Sequence, residues 1–249
     1  MPTPADPPKT AQAMSINRPE AYRRLEEIDL MAELVPMAGC AVLELGCGAA
    51  WTTRLLVERL GARAVTATEV DQIQHAKHVL ISDLPQVTFR YGGAESIADP
   101  DGTYDLAVML KSLHHVPVPL MDRALIEVHR VLKPGGRLYC SEPVYWGPFN
   151  EIMRLIDDER VVREAAFAAL QRAVAQGLFD LDAEVFFESA GTYPDWPTFE
   201  ARFIHVTHSE RNLDAERLAI IRAAFERHLT PTGAHFLKPH RVDVLRRRG

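Results

Sequence analysis

The feature that most constrains this chain is a regular alternation of short apolar runs with helical patterns between residues 40 and 142. The strand-like runs are Cys40–Leu45, Ala64–Thr68, Val87–Tyr91, Tyr104–Leu110 and Arg137–Ser141. Helical spacing fills most of the intervals, at Trp51–Leu60, Gln72–Leu80 and Leu120–Val131. Successive strands joined through helices run parallel, and a parallel sheet needs cover on both faces. The expected class is therefore α/β, with a doubly wound, mostly parallel sheet.

The flanks follow other patterns. Residues 1–17 read as a disordered lead-in rich in Pro, Ala and Thr, and Arg18–Pro36 as a helix through Tyr22, Leu25, Ile28, Leu30 and Leu34. After Glu142 the alternation stops. Glu151–Gln176 reads as one long helix with Gly177 as its stop, Arg202–Thr207 as a strand, Ala215–Arg227 as a helix and Arg241–Arg246 as a last strand. With 249 residues and an apolar fraction of 47%, residues 18–249 suffice for one domain with a sizeable core.

The most informative stretch is Val42-Leu43-Glu44-Leu45-Gly46-Cys47-Gly48-Ala49-Ala50-Trp51. A strand ends in a glycine-rich turn and a helix follows, so backbone can approach a ligand closely and helix N–H groups can face an anion. Glu69 ends the next strand, 21 positions after Gly48, where a carboxylate can accept hydrogen bonds from ribose hydroxyls. A dinucleotide fingerprint would require glycine where this chain has Trp51, which disfavours NAD.

Taken in order, these residues resemble class I S-adenosylmethionine (SAM)-dependent methyltransferases. Glu44-Leu45-Gly46-Cys47-Gly48 is similar to that family's first motif, and Glu69 to its ribose-binding acid. Gly93-Ala94-Glu95 resembles the adenine-reading loop after strand three. Tyr104–Val108 with Ser112–Val116 resembles the strand-four motif, and Leu132–Gly136 the turn before strand five. Ala50 stands where a third glycine is common, a mild change unless that position needs positive φ. The resemblance implies a Rossmann-like, seven-stranded sheet with the last strand antiparallel and a helical elaboration after strand five. It implies that Glu44 and the turn Gly46, Cys47 and Gly48 hold the methionine end, and that Glu69 holds the ribose. Val70 would cover one adenine face, Gly93, Ala94 and Glu95 would meet its edge, and Lys111 would line the mouth where the methyl leaves. S-adenosylhomocysteine would be the product.

Methyl transfer from a sulfonium is an in-line displacement, in which an enzyme chiefly positions the acceptor and excludes water. A base is needed only when the nucleophile must lose a proton, and the candidates are His114, His115, Glu142 and Tyr145. Residues 144–200 are the expected acceptor-covering insertion. Tyr145, Trp146, Phe149, Phe186, Phe187, Tyr193 and Trp196 there could wall an acceptor or simply pack the long helix. The expected acceptor is a small molecule, methylated on oxygen, nitrogen or carbon. The alternatives are RNA or protein methylation, or a SAM-binding regulator without chemistry.

Charge and composition narrow the partners. The net charge is −6, with 28 basic against 34 acidic residues and no Lys/Arg block before Arg246–Arg248, so a phosphate-tracking surface and a nucleic-acid partner are not expected. No run approaches the ~18 unbroken apolar residues of a membrane span. Cys40, Cys47 and Cys140 match no zinc module and read as free thiols of a reducing, cytoplasmic protein without a signal peptide. His205 and His208 would face opposite ways in a strand, so no metal is expected. A homo-oligomer is compatible with the sequence.

Overall fold

Residues 14–205 and 213–248 are described by the computed structural model. A two-residue strand β1 (Arg23–Arg24) and helix α1 (Glu27–Leu34) lead into the alternating region. There β2 (Ala41–Leu45), α2 (Trp51–Glu58), β3 (Ala64–Glu69), α3 (Gln72–His78), β4 (Val87–Tyr91), β5 (Tyr104–Leu110), α4 (Met121–Val131) and β6 (Leu132–Pro143) follow in turn. Helices α5 (Gly147–Ile156) and α6 (Arg160–Ala175) come next, then β7 (Phe179–Tyr193), α7 (Trp196–Phe203), α8 (Ala215–Glu226), β8 (Leu229–Thr230) and β9 (Gly233–Arg247).

The sheet runs β1-β7-β9-β6-β5-β2-β3-β4, with β8 paired to β9. Pairs β2–β3, β2–β5, β3–β4 and β5–β6 are parallel, whereas β9 lies antiparallel to both β6 and β7. Seven long strands with an antiparallel last strand match the expectation, and short β1 and β8 are additions at the sheet's margins. Side chains alternate between the two faces, as strand geometry requires. Leu43, Leu45, Ala107, Met109, Leu138 and Cys140 pack with α4 and α6, while Val42, Leu106, Val108 and Tyr139 pack with α1 and α2. Leu43 is fully buried, and truncating such a leucine to alanine costs about 2–5 kcal/mol.

Several boundaries differ from the sequence reading. Of the expected lead-in, residues 1–13 lie outside the described residues. Met14 is buried in the core, and the Ser15 N–H donates to Glu184 Oε2 at 2.7 Å. The helix expected over Arg18–Pro36 is confined to Glu27–Leu34, because Arg23–Arg24 pairs with Phe187–Glu188 instead. The long helix expected over Glu151–Gln176 is broken into α5 and α6: Asp157 is extended, and the Asp158 carboxylate accepts the Arg160 N–H at 3.2 Å. Short acidic side chains compete for backbone donors in this way, which favours helix ends.

The strand expected at Arg202–Thr207 is also corrected. Residues 202–203 end helix α7, which Asp195 caps through the Thr198 N–H with Pro197 in its first turn. Residues 206–207 and His208 lie outside the described residues. Residues 144–200 divide between two roles. Strand β7 pairs with β9 along its length, whereas α5 and α7 pack against the later helix α8 in an apolar cluster of Ile152, Tyr193, Trp196, Phe199, Phe225 and Phe236.

Candidate active site

The glycine turn follows β2 at the carboxyl ends of the parallel strands, the edge where open α/β sheets hold ligands. Gly46 has φ +79°, and a Cβ there would stand 2.7 Å from the Ser112 Cβ, so the turn and the loop after β5 can meet only over glycine. Gly48 has φ +53° and open space where a Cβ would project, so its backbone is accessible to a ligand. Ala50 also has positive φ, +60°, and precedes α2 without any side-chain cap on that helix. The first-turn N–H groups of α2 are therefore not taken by a capping side chain.

Both sides of the Gly48 unit are held from other strands and helices. Its N–H donates to Glu69 Oε2 at 2.7 Å. Its carbonyl accepts from His78 Nε2 at 2.7 Å. Since a carbonyl only accepts, Nε2 carries the proton, and Nδ1 faces the buried Cys47 Sγ at 3.9 Å. The His78 ring stacks on Phe89 at 4.7 Å. Burial, then the charges of Glu44 and Glu69, push the Cys47 thiol far up, so it packs as an inert group. Glu69 is itself 7% exposed and also accepts the Val70 and Asp71 N–H groups at 2.9 Å through Oε1.

Glu44 is buried and accepts from Thr53 Oγ1 of α2 at 2.6 Å. Burial pushes its carboxyl up to about 7, against the Thr53 hydrogen bond and with help from the Glu69 charge. Val70, just past β3, is 59% exposed and presents an apolar face at the same edge. In the loop after β4, Glu95 folds its carboxylate over Gly93, where any Cβ would collide with it. Ala94 has its side chain in the core cluster, which leaves only backbone for an edge contact. Lys111 has φ +56°, donates its N–H to the Ser141 carbonyl at 2.7 Å and ion-pairs with Glu27 of α1.

Beside this edge lies a cavity of about 510 Å³, lined by Lys111, His114, His115, Phe149, Met153 and Glu159 among others. His114 follows β5 in a 3-10 turn, and Glu142 ends β6. His114 Nδ1 donates to Glu142 Oε2 at 2.5 Å, and Glu142 Oε1 accepts the Leu113 N–H at 3.0 Å. Both residues are buried. Burial alone would lower His114, but the Glu142 charge and hydrogen bond outweigh it and raise the imidazole above its ordinary 6.5. Burial likewise opposes ionisation of Glu142, and His114 with the Leu113 N–H holds it below 4.5. The dyad leaves His114 Nε2 as its free ring nitrogen, 4.0 Å from Glu159 Oε2.

Of the four base candidates, His114 and Glu142 are thus joined directly. His115 lines the cavity with its ring 4.1 Å from that of His114. Tyr145 is outside the lining, its ring under Arg160. His114, His115 and Glu159 offer ligand atoms within 4.8 Å of one another, the only such metal-sized group among the described residues. Glu159 Oε2 is already held by Arg163 at 2.6 Å, a cation where a metal would need to sit. Most of the aromatic residues pack the fold: Phe187 stacks on His240, Trp146 on Tyr22 and Trp196 on Phe199, while Phe149 lines the cavity.

Sequence reasoning missed Glu27, Thr53, His78, Glu159 and the cavity lining contributed by β9. None sits in a recognisable motif. A second cavity, about 240 Å³, opens at the opposite end of the strands around Cys40, Asp105 and Gly135, away from the glycine turn.

Residues 42–136 match the family model described as a methyltransferase domain. Over 105 residues the chain is 39% identical to an uncharacterized methyltransferase of Mycobacterium tuberculosis, covering 42% of this chain and 40% of that one. It is 31% identical over 120 residues to a demethylmenaquinone methyltransferase of Lysinibacillus sphaericus, covering 46% and 49%. The chain thus spans less than half the length of these curated relatives. The solved YcgJ protein of Bacillus subtilis shares the fold with a TM-score of 0.63 at 20% identity, over 89% of this chain and 98% of that one.

Proposed function

We propose that the chain is a class I SAM-dependent methyltransferase that binds SAM and methylates a small-molecule acceptor, a reading supported by the methyltransferase-domain match at residues 42–136 and by the shared fold. The observation that carries this reading is the placement of the pinned Gly46–Gly48 turn beside the 510 Å³ cavity. One site has donors and carboxylates for a charged nucleoside, and the adjoining one has room for a second molecule.

The donor set fits the cofactor. Uncapped N–H groups of α2 suit a carboxylate, buried Glu44 suits an ammonium and Glu69 suits vicinal hydroxyls. When bound, SAM supplies a methyl group on a positively charged sulfur that leaves as a neutral thioether. The chain's own tasks are then positional. Glu69, Gly48 and His78 set the turn, and the cavity walls hold the acceptor in line and keep water out. Where the acceptor must lose a proton, His114 Nε2 can take it, because Nδ1 is committed to Glu142, which stabilises the resulting imidazolium.

The acidic balance, −6 overall, favours a small molecule over RNA. Quinone-precursor methylation is named for one of the relatives, which supports the small-molecule class without identifying this chain's acceptor. The test is calorimetry with S-adenosylhomocysteine and NAD on the purified chain, followed by mass spectrometry of a metabolite extract incubated with methyl-labelled SAM. Binding of S-adenosylhomocysteine alone and a labelled small product are expected. NAD binding without S-adenosylhomocysteine binding would overturn the reading, and label transfer only to RNA or protein would overturn the acceptor class.

A further inference from the structure

The cavity beside the glycine turn has an unbalanced lining. Its cationic side chains are Lys111, Arg163, Arg202 and Lys238, against the single carboxylate of Glu159. Lys111 is neutralised by Glu27, and Arg163 by Glu159. Arg202, on α7, and Lys238, on β9, have no ion-pair partner among the described residues. Arg202 lies over the rings of Tyr193 and Phe203, 5.9 Å from each centroid. Burial, and then the charges of Arg202 and Lys111, outweigh the carboxylates of Glu26 and Glu27 and push the half-buried Lys238 ammonium below the ordinary lysine range. Their mutual repulsion across the cavity is the electrostatic setting for a bound anion.

Two further polar atoms in the lining lack partners. Asn150 is 4% exposed and accepts from Arg163 through Oδ1 at 3.0 Å, which leaves its Nδ2 donor without a hydrogen bond. His240 is also 4% exposed, and its Nδ1 has none. A buried donor left unsatisfied is costly, so each such group calls for an explanation. The rest of the wall includes Phe149, Met153 and Phe203. Every unused charged group and the Asn150 amide are hydrogen-bond donors, and the intervening surface is apolar.

We propose that the methyl acceptor is an organic anion, anchored by its carboxylate or phosphate on Arg202 and Lys238 with its apolar body against Phe149, Met153 and Phe203. The inference rests on the reading of this cavity as the acceptor site. The oxyanion is the anchor and not the nucleophile, since two cations withdraw charge from its oxygens. Methylation takes place at another atom of the same molecule, whose lone pair forms the new bond to the methyl carbon as the carbon–sulfur bond breaks.

The test uses the full chain, with and without S-adenosylhomocysteine, and three probes of one shape: benzoate, phenyl phosphate and the neutral benzamide. Dissociation constants from ligand-observed NMR should be at least about tenfold lower for one of the anions than for benzamide. Benzoate binding more tightly identifies a carboxylate anchor, and phenyl phosphate a phosphate anchor. Arg202→Gln and Lys238→Met should each weaken the preferred anion about fivefold or more, leaving benzamide and S-adenosylhomocysteine affinities unchanged. Equal binding of anions and benzamide, no anion binding, or variants without effect would overturn the proposal. Calorimetry with S-adenosylhomocysteine on the same samples separates the two readings: its failure to bind counts against the cofactor assignment, whereas lost anion preference in a protein that binds it counts against the anchor alone.

Discussion

The Gly48 N–H donates to Glu69 Oε2 at 2.7 Å, so the ends of β2 and β3 are tied together by one carboxylate. This bond gives Glu69 a structural role beside the proposed ribose contact. Sequence reasoning makes it a ligand contact alone. The structure adds three backbone donors, from Gly48, Val70 and Asp71. Glu69→Ala should therefore lower stability by about 1–2 kcal/mol, because water replaces part of what is lost, and weaken SAM by roughly 30- to 150-fold. Thermal unfolding without ligand and calorimetry with SAM measure the two effects. A stably folded variant with undiminished affinity would remove the ribose assignment.

The other side of Gly48 makes a separate prediction. His78→Phe preserves a ring to stack on Phe89 but cannot donate to the Gly48 carbonyl. One neutral hydrogen bond contributes about 1 kcal/mol, so SAM affinity should fall roughly fivefold while the fold persists. Affinity equal to the parent would show that Glu69 alone sets the turn.

The dyad of His114 and Glu142 makes stability depend on pH from two directions. Glu142 is held below its ordinary 4.5, so its contribution is present above that value and is lost as pH falls through the lowered value. His114 is raised above 6.5, so its contribution is present below 6.5 and is lost as pH rises through the raised value. The pair therefore stabilises most between about pH 4.5 and 6.5. Melting temperatures of the parent and of His114→Asn across pH 4 to 9 should differ most in that window. With an acceptor that must lose a proton, turnover should rise as His114 deprotonates, and His114→Asn should flatten that rise.

Ala50 sits at φ +60°, a conformation that strains any residue with a Cβ. Ala50→Gly relieves roughly 1 kcal/mol of strain but enlarges the unfolded ensemble, so a net gain of up to about 0.5 kcal/mol is expected. Ala50→Val puts a β-branched side chain in the same backbone and should cost about 1–3 kcal/mol. Denaturant unfolding of both variants checks the sign of each change.

Turnover should withstand EDTA. The His114, His115 and Glu159 group shares Glu159 with Arg163, and its guanidinium already supplies the charge a metal would bring. Activity lost to chelator and restored by a divalent ion would show that Glu159 can leave Arg163 for a metal.

The sequence by itself determined the alternating sheet and the position of the glycine turn at its edge. Strands over Val87–Tyr91 and Tyr104–Leu110 were legible to the residue for different reasons: the second is a largely apolar, mostly buried run, whereas the first is a half-exposed edge strand read from β-branched and aromatic residues alternating with polar ones. The Gly46–Gly48 turn was legible because positive φ and close approach restrict residue type locally, and Glu69 because it ends the next strand within reach of that turn. The carboxyl-terminal third was less legible. Strand β7 carries Glu184, Glu188 and Gly191 and is held by antiparallel pairing to β9, across intervals of more than forty residues that no local pattern encodes. The break at Asp157–Glu159 and the capped start of α7 turned on which backbone donors acidic side chains captured. Only the tertiary structure brought His78 under Gly48, Glu142 to His114, and Arg202 and Lys238 into one cavity. Local sequence selects backbone conformation, but the partner a charged or polar side chain meets is decided by which elements the sheet order places side by side.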